Sequence, residues 1–283
     1  MGRNEVLFDK IVKLAIENEN VRVVEMNGSR VNPYVTKDDF QDFDIVFYVR
    51  DVNMFKSSFD YESIFGRVLV KQTADDQRDY DPVNNQGYVY LIQFEDGTRL
   101  DLTLLEIGYL EQYGIQDSLS QIILDKDGRE IVSRSDESSY FVQPLSKEDF
   151  NFSVNEFFWV TPYVAKGLAR NQIFYSLKHL DILRAELERM LDFWIGMEND
   201  FMVSMGKAKS KYEKLLPQGW YDRYKRSYCD YQLENIKKSL YLMINLYDEV
   251  TKILAKRYNF NYDVNLKNDM IIFLRDNYSL DGE

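Results

Sequence analysis

A single cysteine, Cys229, and a single histidine, His179, are all that this chain of 283 residues has of either type. One cysteine excludes an intrachain disulfide and fits a reducing cytoplasm. A Cys/His metal centre is excluded as well, so any metal must be held by oxygens, the chemistry of Mg²⁺ or Mn²⁺. Apolar runs long enough to span a bilayer are missing, and the N-terminal MGRNEVLFDK lacks a secretory h-region. There is no internal repeat and no low-complexity tract. Basic residues are in deficit, 35 against 47 acidic ones, for a net charge of −12. A negative field repels nucleic acid and concentrates cations, a cationic substrate included. The expected partners are therefore small and cationic, with neither nucleic acid nor membrane among them.

What is present supports folded cores: 45% of residues are apolar, and the length suits two ordinary domains. Asn4 is expected to cap a first helix with Leu7, Ile11, Leu14 and Ala15 as its apolar stripe. Val21 to Met26 and Asp44 to Val49 read as buried strands. Tyr88 to Phe94 and Arg99 to Leu105 read as a hairpin around Asp96-Gly97. From about residue 150 the pattern becomes helical. Leu177, Leu180, Arg184, Leu187, Leu191 and Trp194 keep a three-four spacing with Arg184 as the one break, and Ile236, Leu240, Met243, Tyr247, Val250 and Leu254 repeat it. The expected fold is α+β, with a mixed-sheet domain over 1–145 and an all-α bundle over 146–283.

The chemistry is concentrated at Gly28-Ser29-Arg30 and Asp42-Phe43-Asp44. Gly28 lets backbone approach a phosphate closely, and Ser29 adds a hydroxyl to the same turn. Residues two apart on a strand share a face, so Asp42 and Asp44 can converge, and a divalent cation between them removes their repulsion. Asp101, inside the otherwise apolar strand Arg99-Leu-Asp-Leu-Thr-Leu104, can join them if its strand is a neighbour. Buried carboxylates are rare unless paired or metal-bound. Arg30 can pair with phosphate or with a neighbouring acid, and sequence does not choose.

Gly28-Ser29, twelve intervening residues, Asp42-Phe-Asp44 and a later Asp101 resemble the signature of polymerase-beta-type nucleotidyltransferases. The longer runs are similar to those of bacterial aminoglycoside 6-adenylyltransferases, the streptomycin-modifying family. These runs are Gly28-Ser-Arg-Val-Asn, Asp39-Phe-Gln-Asp-Phe-Asp-Ile45, Ile64-Phe-Gly66, Leu100-Asp-Leu-Thr-Leu104 and Leu124-Asp-Lys-Asp127. In the helical half they are Asn155-Glu-Phe157, Tyr163-Val-Ala-Lys-Gly-Leu-Ala-Arg170 and Ser204-Met-Gly-Lys207.

The resemblance implies transfer of AMP from ATP to an aminoglycoside hydroxyl with release of pyrophosphate. Asp42 and Asp44 would hold Mg²⁺, and Asp101 would complete the metal site or take the hydroxyl proton. Gly28, Ser29 and Arg30 would contact the nucleotide. Lys166 and Arg170, four apart after Pro162 (read as a helix start), would clamp the triphosphate from a closing helical domain. A solvated, salt-bridged face explains them too. Lys207 is a weaker candidate of the same kind, since a lysine-rich surface helix accounts for it. Glu156 and Trp159 would wall a polycationic sugar, although core packing explains Trp159 equally well. His179 takes no role, and Tyr221, Tyr224, Tyr228 and Tyr231 belong to core or interface.

Overall fold

The computed structural model describes residues 2–78 and 87–280. The chain divides into two compact units, Met1–Ser139 and Tyr140–Glu283. The first contains helix α1 (Arg3–Glu17), strands β1 (Val21–Asn27) and β2 (Phe43–Val49), and the short helices α2 (Val52–Ser58) and α3 (Tyr61–Phe65). Strands β3 (Val68–Thr73), β4 (Gly87–Phe94) and β5 (Arg99–Glu106), helix α4 (Ile107–Tyr113) and strand β6 (Ser120–Asp125) complete it. Six strands form one sheet in the order β3-β4-β5-β2-β1-β6. Only β2 and β5 run parallel, which makes the sheet mixed.

The sheet has two unlike faces. Alternation in β4 and β5 sends Tyr88, Tyr90, Ile92, Phe94, Leu100, Leu102 and Leu104 to one side, where Leu7, Ile11, Phe55 and Phe65 meet them in a single core. Each large side chain buried there contributes about 1.5–3 kcal/mol. On the other side a smaller cluster, Val23, Val46, Tyr48 and Leu110, packs beneath α4. That polar-edged side carries the acids.

Helix α1 starts two residues earlier than expected. Gly2 is its N-cap and its amide donates to Glu5 Oε2 at 2.9 Å, whereas the Asn4 side chain reaches Asp39 O. Strands β3 and β6 carry no clear sequence signal. In β3, Leu69 and Val70 are exposed on an edge strand, so its composition lacks the burial pattern that marks β1 and β2.

The second unit is helical: α5 (Lys147–Ala169), α6 (Ile173–Glu198), α7 (Tyr212–Leu215), α8 (Trp220–Lys225), α9 (Leu233–Tyr258) and α10 (Leu266–Tyr278). Its core is built by the two expected stripes, with Leu180, Leu187, Leu191, Ile236, Leu240, Met243, Tyr247, Val250 and Leu254 buried. Tyr247 stacks on Phe157 with ring centroids 3.7 Å apart. Arg184, the polar break in the stripe, is buried and satisfied: it donates to Ser227 O at 2.7 Å, pairs with Asp181 and lies over the Tyr228 ring. A buried charge is tolerated when it is partnered in this way.

Pro162 is not a helix start. Helix α5 begins at Lys147, where Ser146 Oγ caps it by accepting from Asp149 N at 2.9 Å, and Pro162 lies inside it. Proline cannot donate to the carbonyl four residues back, which leaves a gap in the ladder. One residue earlier, Thr161 Oγ1 donates to Phe157 O at 2.8 Å. No helix among the described residues is long and apolar enough to cross a membrane.

Candidate active site

Parallel pairing of β2 with β5 places Asp44 directly opposite Asp101. Partners across adjacent strands share a sheet face, so the two carboxylates lie side by side although 56 residues separate them. Asp42 precedes β2 by one residue. Across β1, Asn27 is the register partner of Asp44. The next residue, Gly28, has φ +73° and opens a single 3₁₀ turn, Gly28–Arg30. A Cβ built on Gly28 would lie 2.4 Å from Asp44 Oδ2, so only glycine permits this approach. The four residues Gly28, Asp42, Asp44 and Asp101 thus belong to one end of one face.

Asp101 is less buried than its apolar strand suggested, and it is paired. It occupies the half-exposed side of β5, and Arg99, two residues earlier on the same side, grips it with two hydrogen bonds of 2.8 Å. Arg99 Nε also lies 3.7 Å from Asp42 Oδ2. Arg99, the first residue of the strand motif, joins the site without a role expected from sequence. The signal that could have found it is its i,i+2 relation to Asp101, which places both on one face.

Arg30 is held by the backbone of the loop that carries Asp42. Nε donates to Asp42 O at 2.9 Å and Nη2 to Gln41 O at 2.6 Å, while the guanidinium stacks over Phe43 at 3.6 Å. Burial lowers its pKa and four nearby aspartates, led by Asp42, oppose that shift. It anchors the loop that delivers Asp42. Lys37, unremarked in the sequence, holds the other side: its ammonium donates to the carbonyls of Ser29, Arg30 and Asn32. The Ser29 carbonyl also accepts from Gln41 Nε2 at 3.0 Å. Asn32, buried, donates to Glu137 Oε1 at 2.8 Å, which ties the turn to the segment after β6.

A further acid lies on the same face. Glu25 is 2% exposed and accepts from Tyr48 Oη at 2.7 Å, with the Asn27 amide nitrogen turned toward its other oxygen at 2.6 Å. Burial raises the Glu25 pKa despite these donors, and Asp117 raises it further. The folded protein therefore holds this proton more tightly than the unfolded chain does. Stability from this group is fully present below the unfolded pKa and is lost as pH rises through the raised folded value. Glu25→Gln removes that slope. Its melting temperature relative to the parent is expected to rise with pH from the ordinary carboxylate range upward, until the parent's Glu25 is ionised. A difference that stays flat across that range would show Glu25 to be ionised at no cost.

The remaining candidates belong to the helical unit. Trp159 is 64% exposed on α5, which excludes core packing as its explanation, and its ring meets Tyr163 edge-on at 6.5 Å. Glu156 is half-buried one turn earlier. Lys166 is half-buried with its ammonium 5.2 Å from the Tyr163 ring, and Arg170 is the exposed C-cap of α5. Lys207 is exposed in one 3₁₀ turn after Gly206 rather than on a surface helix, while Lys209 in that turn pairs with Asp192. Of the tyrosines, Tyr224 is buried with its hydroxyl donating to Glu188 Oε1 at 2.6 Å, whereas Tyr228 and Tyr231 are exposed.

Oxygen donors on one face suit a hard divalent cation, and the Arg99 guanidinium already stands as a cation between Asp101 and Asp42. Among the described residues no three acids are drawn together into a ready-made metal group. The same unit also has a cavity of about 610 Å³ whose walls carry mixed charge, Glu111, Asp117 and Glu130 against Arg129 and Arg134. The residue after its Ser118, Leu119, accepts from Gly28 N at 3.1 Å.

Paired carboxylates on adjacent parallel strands, pressed against a glycine turn, are the working parts of a nucleotidyltransferase, and the chain is an enzyme of that class. Residues 1–277 match the model of the streptomycin adenylyltransferase family, and the chain belongs to that family. Aminoglycoside 6-adenylyltransferases of Campylobacter jejuni, Staphylococcus aureus and Bacillus subtilis (strain 168) are each 32% identical to it. The matches cover 93%, 98% and 93% of this chain and 91%, 99% and 93% of theirs. A crystal structure of an aminoglycoside 6-adenyltransferase from Bacillus subtilis aligns over 98% of both chains with 27% identity and a TM-score of 0.47.

Proposed function

We propose that this chain transfers AMP from Mg-ATP to a hydroxyl of a streptomycin-like aminoglycoside and releases pyrophosphate, inactivating the antibiotic. The observation that carries the reading is Asp44 opposite Asp101 with Gly28 against Asp44, in a chain 32% identical to three aminoglycoside 6-adenylyltransferases. Asp42 and Asp44 would hold the divalent cation, Mg²⁺ or Mn²⁺, and Asp101 would add a third carboxylate from the neighbouring strand. When bound, the cation neutralises charge on the triphosphate and on the departing pyrophosphate. The acceptor oxygen bonds to the α-phosphorus as the bond to pyrophosphate breaks, and its proton passes to a carboxylate oxygen of this set. Gly28 and Ser29 leave room for phosphate beside these acids.

Two features support a cationic acceptor. The net charge of −12 attracts it. Glu156 and the exposed Trp159 offer a carboxylate and a ring face, which suit guanidinium and ammonium groups. Lys166, Arg170 and Lys207 are the proposed cations for the triphosphate. The reaction belongs in the cytoplasm, where ATP is abundant and Cys229, whose pKa burial raises, stays a thiol.

The test is pyrophosphate release from Mg-ATP. Release that requires streptomycin supports the assignment. Intact ATP binding with no release under streptomycin or a panel of other aminoglycosides overturns it.

A further inference from the structure

The carboxylates at this site already have a cation. Arg99 makes two charge-assisted hydrogen bonds of 2.8 Å to Asp101 and approaches Asp42 at 3.7 Å. Its side chain is 40% exposed, so it is held by these acids rather than by packing. It also stands two residues before Asp101 on the same strand face, within reach of whatever Asp101 binds. A divalent cation on these acids would compete with the guanidinium for the same oxygen lone pairs. Its charge is double, and its contacts of about 2.1 Å are shorter than those of a guanidinium, so each carboxylate is attracted more than twice as strongly.

We propose that Arg99 is the counter-ion a divalent cation displaces from Asp101 and Asp42, and that the freed guanidinium then binds the triphosphate of the incoming nucleotide. The inference rests on the carboxylate metal site of the proposed function. It explains why acids meant for a metal can sit side by side without one: Arg99 removes their mutual repulsion. It also makes the exchange cheap when metal and nucleotide arrive together. The planar fork that leaves a carboxylate finds a phosphate of matching geometry. Metal alone would strand the guanidinium without an anion, so binding is coupled to the nucleotide.

The two halves of the proposal predict opposite effects of one substitution. Mn²⁺ binding to the full chain is measured without nucleotide, from the electron paramagnetic resonance signal of free Mn²⁺, and KM for ATP is measured alongside. Arg99→Ala is expected to bind Mn²⁺ about three- to tenfold more tightly, because the competing cation is gone, while KM for ATP rises about tenfold. Arg99→Lys, which keeps the charge without the fork, should fall between, and it carries the test if the alanine variant fails to fold. Unchanged or weaker Mn²⁺ binding by folded variants would overturn the proposal and leave Arg99 a structural clamp. Absence of Mn²⁺ binding by parent and variants alike would overturn it together with the metal site. The expected Mn²⁺ pattern in a protein that modifies no aminoglycoside would uphold it and remove only the acceptor assignment.

Discussion

Asp44→Asn is expected to reduce aminoglycoside-dependent pyrophosphate release roughly a thousandfold while the fold survives. Asparagine keeps the size of the side chain, so Gly28 still packs against it and the register with Asn27 and Asp101 is undisturbed. What is lost is one unit of negative charge where the cation binds. In the metal-free protein that loss removes repulsion with Asp42 and Asp101 and also attraction to Arg99 and Arg30, which offset one another. The melting temperature should therefore change little. Thermal unfolding and steady-state release on the same preparation check both halves. Activity within tenfold of the parent would show that Asp44 does not bind the cation. A melting temperature lower by many degrees would show that it supports the fold instead.

Gly28→Ala is expected to have the second largest effect, and here the two readouts also diverge. Gly28 has φ +73°, a conformation that costs a side-chain-bearing residue about 1 kcal/mol. For a domain of this size that lowers the melting temperature by about 3 °C. The new methyl group would stand 2.4 Å from Asp44 Oδ2, well inside contact distance. A carboxylate at the end of a short side chain can rotate away far more easily than a strand can move. The expected result is a modest stability loss and a loss of turnover on the order of a hundredfold, since about 1 Å of misplacement is enough for that. An equal fall in stability and activity, caused by unfolding alone, would contradict the close approach of Gly28 to Asp44.

Much of this site was legible before the fold was known, because its parts are local. A β-branched run ending in Asn27-Gly28 and a pair of aspartates opening Asp44–Val49 follow from residue type and a period of two. The hairpin at Asp96-Gly97 was likewise read from turn chemistry, and Gly97 does adopt a positive φ. The two long helical stripes matched their buried faces, and even the polar break at Arg184 fell on the buried side. Misreadings arose where a residue has more than one physical use. Pro162 is tolerated inside α5, although proline more often opens a helix. Asn4 was a plausible cap, but Glu5 reaching back to the Gly2 amide set the start of α1 two residues earlier.

Sequence alone determined which chemical groups this protein has and how they recur: oxygen ligands only, three candidate acids, a glycine turn, and an acidic surface for a cationic partner. The meeting of Asp44 with Asp101 was decided by tertiary structure, because strand pairing joins residues far apart in the chain through backbone hydrogen bonds that carry no residue code. The same is true of the partners of each charge. Arg30 went to the carbonyls of Gln41 and Asp42, Arg99 to Asp101, and Glu25 to Tyr48, because a charged or polar group taken from water binds whatever the fold brings within hydrogen-bond reach.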